Sequence, residues 1–389
     1  MSLFDTIQDR LHTRSVKWDM RKAVFSTDEV LPMWVADMDF KAPQQVLDAL
    51  VSRTEHGVFG YTAVDQDVKD SIVNWLDKRH NWKINDEWLS FSPGVVTSLH
   101  MAIQALTNPG DKVIIQTPVY TPFFNVINSH DRQLVKNPLR YKNNYYTIDF
   151  EDLEEKMKQG AKALILCSPH NPVGRVWARE ELERIADLCI KHEVICIADE
   201  IHGDLTLSDN KHIPFASISE EIADMTITCM APSKTFNLAG LQASYIVTAN
   251  KEMREKIDAC FSSQGLGMLN TMGNVALETA YLHGEQWLDE LLEILERNRN
   301  YVVEMFEKHS TGLKVVQTEG TYLLWIDCSN LNMNPEELKE FMIKKAKVGL
   351  NPGASYGVEG NQFMRMNIAC PKATLEEGVN RLVKAIEAN

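Results

Sequence analysis

The sequence predicts an α/β fold with a mostly parallel central sheet. Two apolar runs, Ala163–Cys167 and Val194–Glu200, are separated by an amphipathic helical pattern from about Ala178 to Lys191. A strand, a helix and a strand in this order normally form a parallel pair with a right-handed crossover. A third run, Thr226–Cys229, has the alternating β-branched pattern of another buried strand. Polar or small residues follow each run, at the edge of an open α/β sheet where ligands bind.

Composition limits the classes of function. The chain has 389 residues and a formal net charge of −14, which argues against nucleic acid as a partner because phosphate backbones are bound by clustered Lys and Arg. Its seven cysteines form no CxxC pair and several lie in apolar strands, a pattern typical of a reducing compartment. The N-terminal residues lack an apolar signal region, and no apolar run reaches 18 residues. We therefore expect a cytoplasmic protein that neither binds nor crosses a membrane.

Lys234 lies on the small-residue turn that begins at Ala231-Pro232, just after the Thr226–Cys229 strand. A lysine at the point where a buried strand meets a cleft loses part of its hydration. This loss disfavours the ammonium form and leaves the amine free to condense with an aldehyde. The alternative is an ordinary loop lysine, one of 40 Lys and Arg residues.

Two more strands end in polar residues. Asp199 ends the apolar strand VICIADE, and a carboxylate there is costly unless a cationic group meets it. A protonated pyridine nitrogen of pyridoxal phosphate (PLP) is one such group. Asn171, in SPHNPVG, follows the Ala163–Cys167 strand, where a plain Asn-Pro turn is the simpler explanation.

A short strand ends at Ser92-Pro93-Gly94, and a helix with an apolar face follows at once. Backbone N–H groups at Gly94, Val95 and Val96 are therefore candidates for binding a phosphate, although a helix start without a ligand has the same sequence. No GxxxxGK[ST] motif occurs, and no GxGxxG follows a strand, which disfavours nucleotide-binding readings. Tyr120 follows the predicted strand Val113–Gln116, where its ring could stack on a flat cofactor or pack in the core.

The C-terminal part predicts a smaller α+β domain. GEQWLDELLEILERNRNYVVEMFEKH is the longest periodic stretch, and we interpret it as the helix that joins two domains. Arg365 lies among apolar neighbours in the predicted strand FMRMNIACP, so it needs an anion: a substrate carboxylate or an internal carboxylate. We predict an N-terminal arm that also forms part of the small domain over residues 1–45, a large cofactor-binding domain over 46–285 and a small C-terminal domain over 286–389.

Seven strings occur in one order: LPMWVADMDF, HGVFGY, TPVYTPFF, SPHNPVG, DEIHGDL, SKTFNLAGLQ and FMRMNIACP. Together they resemble fold type I PLP-dependent enzymes of the aspartate aminotransferase superfamily, over almost the whole chain. More narrowly, they are similar to the MalY/PatB group of cystathionine β-lyases and C-S lyases. The resemblance implies the fold type I transferase fold, PLP as cofactor and a sulfur-containing amino acid as substrate.

The resemblance also implies roles for individual residues. Catalysis is assigned to Lys234 and Tyr120. Cofactor binding is assigned to Lys234, Asp199, Asn171, Tyr120, His202, Ser233, Gly94, Val95, Val96 and Tyr61. Tyr61 reaches the cofactor phosphate of the neighbouring subunit in this family, which implies a homodimer. Substrate binding is assigned to Arg365, Ala36 and Asn171. For Tyr61 and for the loop around Ala36, a plain surface position is the alternative, and His202 could act from behind the site.

Two residues depart from the aminotransferase pattern. His202 stands three residues after Asp199, where many aminotransferases carry a tyrosine, and Gln242 stands eight residues after Lys234, where they usually place Arg or Lys. Both departures favour α,β-elimination from cystathionine or cysteine, giving pyruvate, ammonia and homocysteine or hydrogen sulfide. An aminotransferase is the first alternative. A regulatory protein that binds a transcription activator is the second.

Overall fold

The computed structural model describes residues 3–388. In chain order its strands are β1 (Leu31–Pro32), β2 (Leu89–Ser92), β3 (Lys112–Ile115), β4 (Gln133–Lys136), β5 (Arg140–Lys142), β6 (Tyr145–Thr147), β7 (Ala161–Cys167), β8 (Ile195–Asp199), β9 (Thr226–Met230), β10 (Ser244–Val247), β11 (Lys314–Val315), β12 (Leu323–Asp327), β13 (Val348–Gly349), β14 (Asn351–Pro352) and β15 (Phe363–Asn367).

The α-helices are α1 (Val16–Asp19), α2 (Arg21–Phe25), α3 (Gln44–His56), α4 (Gln66–His80), α5 (Val95–Leu106), α6 (Pro122–Asn128), α7 (Phe150–Lys158), α8 (Arg179–His192), α9 (Glu220–Ala223), α10 (Pro232–Thr235), α11 (Lys251–Ser263), α12 (Thr271–His283), α13 (Glu285–Lys308), α14 (Pro335–Glu340) and α15 (Lys372–Glu387). The predicted long helix is α13, which has 24 residues.

The central sheet has seven strands in the order β2-β10-β9-β8-β7-β3-β4. Only β10 runs antiparallel to its neighbours β2 and β9, and the other adjacent pairs are parallel. The predicted mostly parallel α/β sheet is therefore confirmed. The strand-helix-strand unit is β7, α8 and β8, as the apolar pattern indicates.

Local chemistry explains where α8 begins and ends. The Glu181 carboxylate accepts a hydrogen bond of 2.9 Å from the Ala178 backbone N–H, which satisfies a donor at the helix start. The helix ends at His192, and the next residue, Glu193, has a left-handed φ of 54°. Its buried side chains are Leu182, Ile185, Ala186, Leu188 and Cys189, and their spacing points one face at the sheet.

A second, antiparallel sheet is formed by the C-terminal part of the chain, in the order β11-β12-β15-β14. The N-terminal segment joins this part of the molecule through β1, which pairs in parallel with β13. The domain boundaries at residues 45 and 285 stay a prediction, and residues 1, 2 and 389 of the outer two domains lie outside the described part.

The spacing of apolar residues after Pro43 predicts a helix with Val46, Leu47, Leu50 and Val51 on one face. In α3 Val46 is buried, but the Val51 side chain is 55% exposed. All seven cysteines are free thiols and six of them are buried, as their apolar settings predict. Among residues 3–388, no helix combines the length and the apolar character that crossing a membrane requires.

Candidate active site

A cavity of about 310 Å³ lies at the carboxyl edge of the central sheet. Its lining includes every residue predicted for the site except Tyr61 and Arg365: Ala36, Gly94, Val95, Val96, Tyr120, Asn171, Asp199, His202, Ser233 and Lys234. Cys167, Thr97 and Gln242 also line it. A cavity of this size is within the range of small-ligand sites.

Strand register explains the convergence of these residues. Cys167 of β7 is the partner of Asp199 of β8, which in turn is the partner of Cys229 of β9. Because the three strands are parallel, the segments that follow them leave the same edge of the sheet. Asn171 and Lys234 are thereby brought beside Asp199, although they are far apart in the sequence.

Lys234 lies in the short helix α10, and its side chain is partly buried. The Nζ atom donates a hydrogen bond of 2.7 Å to the Ala36 carbonyl oxygen. No carboxylate of the described residues forms a salt bridge with it. Burial, and then the charge of Arg365, lower the pKa of Lys234 to about 8, against weaker raising effects of Asp37 and Asp199. The amine therefore loses its proton far more readily than a surface lysine.

Asp199 is buried and nearly without partners. One hydrogen bond of 3.2 Å reaches its Oδ1 from the Ile201 backbone N–H, and no cation of the described residues pairs with it. Burial raises the pKa of Asp199 to about 7, although the Ile201 N–H and Lys234 oppose this shift. A ligand that offers this carboxyl group a charged N–H donor would therefore stabilise its ionised form.

His202 is buried beside Asp199, and its Nδ1 atom has no hydrogen-bond partner among the described residues. Burial first, and then the charges of Lys234 and Arg365, lower the pKa of His202 to about 3. The imidazole is therefore neutral at physiological pH. His202 lines the cavity, and its role in cofactor binding stays a prediction.

The start of α5 has the properties of an anion site. Gly94 precedes the helix and offers no capping side chain, and the first backbone hydrogen bond of the helix runs from Ser98 N–H to the Gly94 carbonyl at 3.0 Å. The N–H groups of Val95, Val96 and Thr97 have no partner within residues 3–388. A side chain at Gly94 would meet no atom within 4 Å, so the space above the turn is open. Such unpaired donors bind phosphate.

Arg365 lies behind Asn171 rather than in the cavity lining. It donates to the Asn171 side-chain oxygen and to the Trp34 carbonyl, both at 3.0 Å. Its buried Nε has no partner, and no salt bridge to Arg365 occurs among the described residues. The internal salt bridge that the sequence left open is therefore not the explanation for this buried arginine.

Tyr120 is held next to Asn171, because its backbone N–H donates to the Asn171 carbonyl at 3.1 Å. Burial, and then the charge of Asp199, raise the pKa of Tyr120 to about 12, so its hydroxyl stays protonated. Tyr61 is in a different setting. It is 99% exposed, in the segment between α3 and α4, and it takes no part in the cavity of its own chain.

The side chains that hold the loop around Ala36 are not predicted by the sequence. Tyr322 donates to the Ala36 carbonyl, and Asn367 donates to the carbonyls of Val35 and Asp37. These contacts join positions nearly 300 residues or more apart, so no local pattern identifies them. The one available signal is that Asn367 lies two residues after Arg365 on β15, on the same side of the strand.

Comparison with known proteins agrees with this geometry. The sequence model of the aminotransferase class I and II family matches residues 29–382. The cystathionine β-lyase PatB of Bacillus subtilis is 47% identical over 384 residues, which cover 98% of this chain and 99% of that protein.

Two solved structures are also similar. Cystalysin of Treponema denticola, which contains pyridoxal 5′-phosphate, has a TM-score of 0.96 and 39% identity, covering 99% of this chain and 98% of that one. The PLP-bound C-S lyase of Staphylococcus hominis has a TM-score of 0.92 and 33% identity, covering 98% and 97%. With a match of this extent to the family model and to the relatives, the chain belongs to the aminotransferase class I and II family.

Proposed function

We propose that this protein is a PLP-dependent C–S β-lyase that cleaves cystathionine or cysteine. The observation that supports the proposal is that three polar features of one cavity lack the partners that a ligand would supply. Lys234 has an amine with a lowered pKa, Asp199 is buried without a cation, and α5 begins with unpaired N–H groups. These groups match the three polar parts of PLP: its aldehyde, its pyridine nitrogen and its phosphate.

When bound, PLP supplies an aldehyde that condenses with amines and a protonated ring that withdraws electrons from the substrate α-carbon. Asp199 would accept the hydrogen bond of the ring N–H and keep the nitrogen charged. The N–H groups that follow Gly94, together with Ser233, would hold the phosphate. Tyr120 would stack on the ring, and His202 and Asn171 would contact its edge.

The substrate would be held by its carboxylate. Arg365 has two neutral acceptors as partners and an unpartnered Nε, so an incoming carboxylate would supply its missing counter-charge. The backbone at Ala36 and the amide of Asn171 would complete this part of the site. The α-hydrogen would then face Lys234.

Lys234 would act as the base that removes the α-proton, since its lowered pKa leaves much of the amine neutral near pH 8. The Cβ–S bond breaks with its electron pair leaving on sulfur, and sulfur takes up a proton. Hydrolysis consumes one water, so that cystathionine yields pyruvate, ammonia and homocysteine, and cysteine yields pyruvate, ammonia and hydrogen sulfide.

An aminotransferase is the second candidate, because the family model is named for that activity. Elimination is favoured over transamination by the similarity to the cystathionine β-lyase PatB and to the C-S lyase of Staphylococcus hominis, and by two residues in the cavity lining. His202 stands where many aminotransferases carry a tyrosine, and Gln242 places a neutral amide where they carry a cation near the phosphate.

We further propose a homodimer in which Tyr61 reaches the phosphate in the neighbouring subunit. The support is that Tyr61 is almost fully exposed on its own chain, together with Val58 and Phe59, which are also exposed. An exposed apolar patch of this kind favours a protein interface. The six buried free thiols suit a reducing cytoplasm.

The test is to incubate the purified, PLP-loaded protein with cystathionine and no oxo acid. We expect pyruvate and homocysteine in equal amounts over many turnovers. Pyruvate that forms only after an oxo acid is added would favour the aminotransferase instead. The absence of product under both conditions would overturn both candidates.

A further inference from the structure

The Ala36 carbonyl oxygen accepts two hydrogen bonds from side chains. One comes from Lys234 Nζ at 2.7 Å and the other from the Tyr322 hydroxyl at 2.9 Å. Within residues 3–388 this is the only hydrogen bond of the Lys234 amine and the only one of the Tyr322 hydroxyl. The two side chains therefore share a single acceptor.

This carbonyl cannot turn to favour either donor, because the segment Trp34–Met38 is held on both sides of it. Asn367 Nδ2 donates to the carbonyls of Val35 and Asp37, at 2.6 Å each. Asn351 holds the Trp34 carbonyl at 2.8 Å, and Asn237 holds both the N–H and the carbonyl of Met38, at 2.9 and 3.0 Å. The peptide at Ala36 is thereby fixed in direction before any ligand binds.

Tyr322 is fixed as well. Its side chain is buried, its ring meets that of His202 edge-on with centroids 6.0 Å apart, and its backbone carbonyl accepts from Ile368 N–H at 2.9 Å. Burial raises its pKa, so the hydroxyl keeps its proton and can only donate to the carbonyl. A phenylalanine would fill the same space, so packing alone does not account for a buried hydroxyl here.

We propose that Tyr322 is a positioning residue for Lys234. The Tyr322 hydroxyl occupies part of the acceptor capacity of the Ala36 carbonyl, so that the hydrogen bond from the lysine amine to the same carbonyl is weakened. Two donors on one oxygen compete for the same electron density, so each bond is weaker than it would be alone. The amine then has a defined resting place and a low barrier to leaving it. This inference rests on the proposed role of Lys234 as the reacting amine.

The consequence concerns the proton of Lys234. A carbonyl freed from Tyr322 would stabilise the ammonium form more strongly, and the amine would become harder to deprotonate. The other groups that act on Lys234 are Arg365 from β15, Asp37 from the Ala36 loop and Asp199 from β8, with neutral His202 beside them. None of these side chains forms a hydrogen bond with the Tyr322 hydroxyl.

The test compares Tyr322→Phe with Tyr281→Phe. Tyr281 is also buried and does not line the cavity, and within residues 3–388 its hydroxyl hydrogen-bonds only to that of Tyr245, at 3.0 Å. The first readout needs no turnover. The full-length protein is freed of cofactor and labelled with trinitrobenzenesulfonate across a pH series, and mass spectrometry follows Lys234. We expect the midpoint of labelling to rise by about half a unit or more in Tyr322→Phe and to stay unchanged in Tyr281→Phe.

The second readout uses the PLP-loaded protein. We expect kcat for elimination at pH 7 to fall about 3- to 10-fold in Tyr322→Phe, with KM within about twofold of wild type. The acidic limb of the plot of kcat against pH should move to higher pH by the same amount as the labelling midpoint. A purely structural role would lower the melting temperature without moving the labelling midpoint.

Equal labelling midpoints in Tyr322→Phe and wild type would overturn the inference, and so would a fall in kcat matched by Tyr281→Phe. These outcomes are separate from failure of the proposed function. If the wild-type protein gave no pyruvate, the lyase proposal would fail, while the labelling midpoints would still decide whether Tyr322 acts on Lys234.

Discussion

Asp199 ends strand β8, and Asp204 lies five residues later in the turn that follows. Both are buried, yet their surroundings are opposite. Asp204 accepts hydrogen bonds from Thr235 at 2.8 Å, His80 at 2.9 Å and Trp75 at 3.1 Å. Burial acts to raise its pKa, but the bonds and the charge of His80 outweigh it, so the pKa of Asp204 is lowered. Asp199 has a single backbone donor, and its pKa is raised.

Buried lysine and arginine side chains show the same contrast between those that have a charged partner and those that do not. Lys17 is buried against Asp39 at 2.7 Å, and Arg175 is buried between Glu319 at 2.8 Å and Glu181 at 2.6 Å. Lys234 and Arg365 have only neutral partners among the described residues. In these comparisons one buried residue has its charged or hydrogen-bonding partners and the other has few or none among the described residues. Lys234 and Asp199 line the cavity and Arg365 contacts Asn171 of its lining, so a ligand in the cavity would supply what the chain does not.

The largest expected effect is on catalysis. Lys234→Ala should lower turnover at least about 100-fold, because it removes both the amine that condenses with the cofactor and the base. Its melting temperature should change little, since no ion pair is broken. Lys17→Met is the matched control: it should destabilise the fold by about 1 to 3 kcal/mol, because it leaves Asp39 with fewer donors, and keep turnover per folded molecule. Residual activity of one tenth or more in Lys234→Ala would contradict the proposed catalytic role of Lys234.

The two aspartates should separate function from stability. Asp199→Asn should cripple elimination while leaving the cofactor-free protein as stable as wild type or more so, because it removes an uncompensated carboxyl group. Asp204→Asn should cost roughly 3 kcal/mol of unfolding free energy, since it breaks a buried hydrogen-bonded group. Chemical denaturation and steady-state kinetics on both variants measure the two effects. Near-normal elimination by Asp199→Asn would remove its proposed role at the ring nitrogen.

The same pair predicts opposite pH dependence of stability in the cofactor-free protein. Asp199 has a pKa of about 7 in the folded protein against an ordinary value of 3.8. The folded state therefore holds this proton longer, and ionisation destabilises it as pH rises from about 4 to about 7. The stability gained by Asp199→Asn should grow over that range and then level off.

Asp204 should show the reverse. Its pKa is lowered in the folded protein, so its contribution is present at neutral pH and is lost as pH falls through the acidic range. The cost of Asp204→Asn should therefore shrink in acid. Melting curves of wild type and the two variants test both signs, if they run from well below pH 3.8, the ordinary pKa of an aspartate, up to about pH 8. Parallel curves for the two variants would contradict the assignment.

The sequence predicts the charged residues at the edge of the sheet, but it does not predict their hydrogen-bond partners. Lys234 and Asp199 are identifiable because they lie at the ends of short apolar runs that form buried strands, and such runs are local information. The partners that distinguish Asp199 from Asp204 are not local: His80 is 124 residues from Asp204. Sequence could therefore predict which charged residues reach the sheet edge, but not which of them find a counter-charge.

The loop around Ala36 shows the same limit. Its motif LPMWVADMDF signals a functional segment only through resemblance, and the side chains that fix it come from three distant parts of the chain, at Asn237, Asn351 and Asn367. Asparagines at such positions look like ordinary turn or surface residues in the sequence. Val51 is the complementary case: its spacing places it on one helix face with the buried Val46, yet its side chain is exposed, since an apolar residue at helical spacing need not face the core.

The smallest expected effect separates the two arginines. Arg365→Lys keeps the positive charge but loses the planar fork that binds a carboxylate through two hydrogen bonds, so we expect KM for cystathionine to rise about 10-fold with kcat much less affected. Arg175→Lys loses the same fork at a site that already has Glu319 and Glu181. It should lower the melting temperature and leave KM unchanged. If KM rose equally in both variants, Arg365 would have no special place in substrate binding, and its lack of a counter-charge would need another explanation.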